Sequence, residues 1–154
     1  MSAVIALERL LEESQPDQFI LVSDDPDFVE TAAVRKLWHV NGENAWRMID
    51  TAPRAQLAVI DAEASLPAQE AALVTARLRD VYADRVVVAG PTDADRPLNR
   101  QLLTSLGFHQ IGHSDDISGD RYWYQFDIDN YKVTPDWLNP RHWANPELWD
   151  KYRW

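Results

Sequence analysis

Three places in this 154-residue chain hold residue types that could do chemistry. The first is a set of acids and small residues that follow short apolar runs. Ser23 and Asp24 follow Phe19-Ile20-Leu21-Val22, Asp61 follows Leu57-Ala58-Val59-Ile60, and Gly90 lies just past Val86-Val87-Val88. If those runs are parallel strands, the four residues sit at carboxyl ends, where open α/β sheets bind ligands. Carboxylates converging there can hold a cation, and a single one can hold an amine or a ribose hydroxyl. A local explanation competes. Asp25 before Pro26 has the form of a helix N-cap, and Asp24 and Asp61 can accept hydrogen bonds from loop amides.

The second place is His109 and His113 beside Asp115 and Asp116, a combination of metal-ligating types. Residues four apart on a strand share a face but sit ~13 Å apart, too far to share one ion. A solvated hairpin loop is the expected reading, and no metal ligand is assigned. The third place is the tail. Trp137, Trp143 and Trp149 recur every six residues, and Trp154 closes the sequence. Pro140 and Pro146 each stand three residues before a tryptophan, with Asn139 and Asn145 as prospective N-caps of short helical turns. Tryptophans bury large areas, so the tail either straps across the domain or forms a surface for a partner or a second copy. The sequence has neither a Gly-x-Ser-x-Gly elbow nor a Gly-x-x-x-x-Gly-Lys phosphate loop. The Gly90–Pro97 segment reads as turn and capping chemistry. No catalytic residue is assigned.

The elements that must position these residues alternate. Ala3, Leu7, Leu10 and Leu11 repeat at helical spacing behind Ser2. After the first strand, Asp25-Pro26 opens a helix through Leu37. A brief strand at Trp38-His39-Val40, the Asn41-Gly42 turn and a short helix from Glu43 to Thr51 follow. Leu57–Ile60 is a buried strand, Pro67–Ala83 a helix, and Val86–Val88 a strand too hydrophobic for an edge. Leu98, Leu102 and Leu106 mark the next helix, which Gly107 ends in left-handed conformation. Phe108–Gly112 and Tyr122–Ile128 then flank a polar loop, Ser114–Asp120, as a long-looped antiparallel hairpin. The expected fold is a three-layer Rossmann-like α/β sandwich, mostly parallel, with a C-terminal antiparallel hairpin and an aromatic tail.

Composition sets limits. Hydrophobic residues make up 45% and charged ones 26%, as in soluble globular chains. A formal charge of −10 argues against a nucleic-acid backbone binder, since that needs a basic surface. No apolar run is long enough to span a membrane. The N-terminal residues lack the basic start of a secretory signal, and the absence of cysteine suits the cytoplasm. The acids and bases of residues 133–154 balance, so the whole charge lies in residues 1–132, where the domain is expected to end.

From Gln56-Leu57-Ala58-Val59-Ile60-Asp61-Ala62 onward the order of strand, helix, strand, helix and hairpin resembles the C-terminal half of class I S-adenosylmethionine-dependent methyltransferases. The resemblance covers about residues 55–130 and makes these strands the family's fourth to seventh. It implies an S-adenosylmethionine-type site at the strand ends. The N-terminal half departs from it. That family turns from its first strand through glycines, whereas Ser23-Asp24-Asp25-Pro26-Asp27 has none and carries three carboxylates. A cofactor-free relative, one of a small bacterial family, fits the departure. Ile20–Phe28 also resembles a receiver domain's first strand and acidic pair. That likeness implies Mg²⁺ on Asp24 and Asp25 and a phosphoryl acceptor at Asp61. The expected hydroxyl residue is replaced by Ala89-Gly90, and Phe108–His113 lacks the expected lysine.

The expected function is therefore a non-catalytic interaction protein that binds a basic protein partner or a second copy through its acidic body and tryptophan tail, without cofactor. An S-adenosylmethionine-type binder or divergent methyltransferase is the alternative, and an atypical receiver the third. Deleting residues 133–154 should expose apolar surface and lower stability by several kcal/mol if the tryptophans are buried. Thermal melting and mass measurement of the truncated chain check this; no change in either would sink both readings of the tail.

Overall fold

The computed structural model describes residues 2–33, 36–116 and 119–127. The tail, with Trp137, Trp143, Trp149, Trp154 and the prospective caps Asn139 and Asn145, lies outside the described residues, as does the boundary expected at 132. Among the described residues the order is α1 (Ala3–Ser14), β1 (Phe19–Val22), α2 (Pro26–Ala32), β2 (Leu37–Val40), α3 (Ala45–Met48), β3 (Ala55–Asp61), α4 (Ala68–Arg77), β4 (Ala83–Ala89), α5 (Arg100–Ser105), β5 (His109–Asp116) and β6 (Gly119–Asp127). A 3-10 turn, Ile49–Thr51, extends α3, and a π-helical turn, Leu78–Tyr82, extends α4.

Six strands make one sheet in the order β2-β1-β3-β4-β6-β5. The pairs β1–β2, β1–β3 and β3–β4 are parallel, while β6 runs antiparallel to both β4 and β5. Apart from the tail, which lies outside the described residues, the expected fold is the observed one. Alternation along the apolar runs builds both layers. Phe19 and Leu21, Leu57 and Val59, and Val87 and Ala89 face one side, where Leu7, Leu10, Phe28 and Ala32 of α1 and α2 cover them. Ile20 and Val22, Ala58 and Ile60, and Val86 and Val88 face the other, under Ala45, Ala71, Val74 and Leu103 of α3, α4 and α5. Runs apolar at every position are required because both faces are covered.

The caps follow local chemistry. The Ser2 hydroxyl accepts from the Ile5 amide at 3.2 Å, and Asp25 accepts from the Asp27 amide at 2.9 Å with Pro26 in the first turn. The expected helices are longer than the observed ones. α2 stops at Ala32, α4 passes into its π-helical turn at Leu78, and α5 has only six residues behind its Asn99 cap. Gly107, at φ +91°, adopts the left-handed conformation, with the Phe126 ring 3.2 Å from where a Cβ would stand.

The hairpin corrects one expectation. Ser114–Asp120 is not a long polar loop: Ser114 pairs with Arg121, Asp115 with Asp120 and Asp116 with Gly119. The physical reason is a register irregularity between Gln110 and Gly112. Beyond it Ser114 is buried while His113 and Asp115 face outward. The hydroxyl of Ser114 accepts from the buried Trp123 indole nitrogen at 2.7 Å, so a polar residue takes an inward strand position. His109 and His113 stay on this strand, opposite Gln125 and Tyr122.

Ser114→Ala should strand the Trp123 N–H without a partner and destabilise by ~1–3 kcal/mol. Urea unfolding would measure it. A loss within the error of wild type would mean that this indole bond does not hold the hairpin.

Candidate functional site

β1 and β3 are neighbours, and their crossovers leave in opposite directions, to β2 on one side and β4 on the other. Their carboxyl ends therefore flank the crevice where open α/β sheets take ligands. Parity decides which residues look into it. Ser23 continues the face of Phe19 and Leu21, Asp61 continues that of Leu57 and Val59, and Arg121 shares its face of β6 with Trp123. All three reach the α1/α2 side, next to Phe28.

There they form one cluster. Arg121, only 6% exposed, donates from Nη1 to Asp61 Oδ1 at 2.7 Å and to the Gly90 carbonyl at 3.1 Å. Its Nη2 donates to Glu63 Oε2 at 3.2 Å. The guanidinium carbon lies 5.1 Å from the centroid of the Phe28 ring, within cation–π range. Asp61, 2% exposed, also accepts from the Ser23 hydroxyl at 2.9 Å and from the Glu63 amide at 3.0 Å. The Ser23 hydroxyl in turn accepts from the Asp25 amide at 3.0 Å. A buried carboxylate requires such partners, and both Asp61 oxygens have them.

Gly90 serves this arrangement through its backbone. Its amide donates to the Tyr122 carbonyl at 2.9 Å, and a Cβ would stand 2.9 Å from that same oxygen. Only glycine lets the end of β4 approach β6 so closely while offering its carbonyl to Arg121.

Asp24 points to the opposite side of β1. It accepts from the Gly42 amide at 2.9 Å and the Ser65 amide at 2.7 Å, tying the loops after β2 and β3 together. Gly42 packs so tightly there that a Cβ would lie 2.5 Å from the Ser65 nitrogen. Burial opposes ionisation of Asp24, but the Ser65 and Gly42 amides, helped by the Ser65 hydroxyl and His39, outweigh it and hold its carboxyl below the ordinary range. The His39 ring is 2.8 Å from the Ser23 carbonyl, which it can meet only as a donor.

The structure thus joins three of the four expected ligand residues, Ser23, Asp61 and Gly90, in one cluster and sets Asp24 in a second. Arg121 was not foreseen, nor were Glu63, Gly42, Ser65 and His39. The signal for Arg121 was its spacing, two residues from Trp123 on an alternating strand. The receiver resemblance requires Asp24, Asp25 and Asp61 to converge on one ion. They do not: Asp25 caps α2, Asp24 binds loop amides and Asp61 holds Arg121. Among the described residues no three His, Cys, Asp or Glu side chains gather to hold a metal ion.

A model of one protein family, described as a family of unknown function (DUF6231), matches residues 1–154. The chain belongs to that family. Among curated proteins none matches it in sequence. Among solved structures it is similar to Streptococcus pneumoniae Sp1610, a putative tRNA (m1A22) methyltransferase crystallised with S-adenosyl-L-methionine. The TM-score is 0.40 and the identity 15%, over 96% of this chain and 75% of that one. Among the described residues no helix of this family member is long and apolar enough to cross a membrane.

Because the folded pKa of Asp24 is depressed, its contribution to stability is full above the ordinary carboxyl value of 3.8 and fades as pH falls through the lower folded value. Asp24→Asn should therefore lower stability near neutral pH, by only ~1 kcal/mol because solvent screens this exposed carboxylate. The deficit should shrink as pH falls below the usual carboxyl value of 3.8. Thermal melts of both proteins across that range test the sign; a deficit that grows on acidification would contradict it.

Proposed function

We propose that this protein is a non-catalytic Rossmann-like binding protein that acts through its surface on a basic protein partner, its strand-end crevice being filled by its own side chains. The observation that carries the reading is Arg121, buried across the ends of β3 and β4 with its guanidinium on Asp61, Glu63 and the Gly90 carbonyl. The groups that would greet a ligand there are already partnered within the chain. The glycine-free turn Ser23-Asp24-Asp25-Pro26-Asp27 agrees, since its backbone enters α2 through a capping acid and a proline.

The partner's basic character follows from charge. The formal balance is −10, and a groove of about 760 Å³ between α1 and α2 is lined by Glu8, Glu12, Asp27 and Glu30 over the apolar Val4 and Leu11. Complementary fields steer such encounters and select among partners. Trp137, Trp143, Trp149 and Trp154 remain proposed contributors to the partner surface, or to a homodimer.

A second reading, an S-adenosylmethionine-type binder, draws on one observation. The antiparallel hairpin stands where the methyltransferase resemblance puts it, with β6 between β4 and β5. A two-dimensional NMR titration with S-adenosylmethionine separates the two. We expect flat spectra for the wild type. Saturable shifts around Asp24, Asp61 and Gly90 would overturn the filled-crevice reading and support the binder. Arg121→Met provides a stability control: leaving Asp61 buried and unpaired should destabilise by ~3–5 kcal/mol.

A further inference from the structure

The chain leaving β4 makes a second site that does not involve the Arg121 cluster. From Thr92 it runs out and returns to α5, where the Arg100 amide donates to the Thr92 carbonyl at 3.0 Å. This bond pins Thr92 beside the first residue of the helix. Between this loop and α5 lies a cavity of about 690 Å³, within the range of small-molecule sites.

Two of its polar groups are spent on the fold. The Asn99 carboxamide caps the Leu102 amide at 2.8 Å and donates to the Arg96 carbonyl, and the Ser105 hydroxyl donates to the Leu102 carbonyl. The others are unspent. Thr92 is 8% exposed and lines the cavity, yet its hydroxyl has no hydrogen-bond partner among the described residues. Arg100, Gln101 and Thr104 line the same space, and no described carboxylate bonds the Arg100 guanidinium. Asp93 and Asp95 belong to the same loop but are exposed and do not line the cavity. A cation, two hydroxyls and an amide thus line one space, with the Thr92 hydroxyl reaching it from a largely buried residue, in a chain of net negative charge.

We propose that this cavity binds a small organic oxyanion, a carboxylate or a phosphate monoester. Arg100 supplies the charge, in the forked geometry that suits both oxyanions, and the Thr92 and Thr104 hydroxyls donate to the remaining oxygens. Gln101 and the aliphatic parts of the threonines meet the organic body. The site stands independently of the filled crevice.

The test is amide-resolved NMR titration with phenyl phosphate and, separately, benzoate, at constant ionic strength, with sodium chloride as control. Saturable shifts confined to residues 92–105 with either probe are expected, and the tighter probe identifies the oxyanion. Arg100→Gln lies on an exposed position and should weaken binding ~10–100-fold, the range for a hydrogen bond to a charged group. Thr92→Val should weaken it less. Shifts that never saturate, that chloride reproduces, or that persist at equal affinity in Arg100→Gln would overturn the proposal.

Discussion

The buried Arg121–Asp61 pair is the constraint around which the carboxyl edge of the sheet is organised. Taking both charges from water is expensive, and the pair persists only if every lone pair and proton finds a partner. That demand reaches four strands. Ser23 at the end of β1 satisfies one Asp61 oxygen, and the Glu63 amide after β3 joins Arg121 on the other. Gly90 after β4 gives Arg121 a carbonyl, while β6 carries the arginine itself. The close approach of β4 to β6 at Gly90, which a Cβ would block, is part of the same geometry. Asp24 makes a parallel knot on the other face by holding the Gly42 and Ser65 amides. The two acids that follow β1 and β3 therefore brace the loops on opposite sides of one sheet edge.

The legible parts of this fold are those fixed by short-range chemistry. Phe19–Val22, Leu57–Ile60 and Val86–Val88 identify themselves as doubly covered strands because every position is apolar. Ser2, Asp25-Pro26 and Gly107 identify helix ends because each meets a local backbone requirement. The hairpin was harder to read. Its strands run through Ser114 and Arg121, polar residues that occupy buried positions only because an acid sixty residues away, or a tryptophan across the ladder, accepts or donates to them. The irregularity at Gln110/Gly112 also resets the alternation in β5, so periodicity counted from Phe108 fails beyond it.

The site was legible in the same uneven way. Sheet logic located Ser23, Asp61 and Gly90 together, since residues following parallel strands share an edge. It could not assign their partner. Arg121 lies beyond a strand reversal, sixty residues from Asp61, and its role depends on β6 entering the sheet between β4 and β5. The spacing Arg121-x-Trp123 carried the clue, because alternation puts both on one face. An arginine in step with a core tryptophan must either reach the edge or find an acid. Here it does both: its stem crosses the end of β4 and its guanidinium finds Asp61.

This arrangement sets a condition on anything that would enter the crevice. A ligand that displaces Arg121 leaves Asp61 and Glu63 facing it, with Asp61 still buried. A neutral or anionic group would then bear the penalty of an uncompensated buried carboxylate, ~3–5 kcal/mol, or roughly a hundred- to several thousandfold in affinity. Only a group bringing its own positive charge and donors aimed at Asp61 could replace what the arginine provides. Arg121 holds that position at no cost in translational entropy, because it is tethered to the sheet by β6. The loop after β4 faces no such competition: among the described residues its Thr92 hydroxyl and the Arg100 guanidinium have no partner to displace. In this protein the crevice that the sheet offers by topology holds the protein's own Arg121, and the groove between the loop after β4 and α5 lies one loop along the same edge.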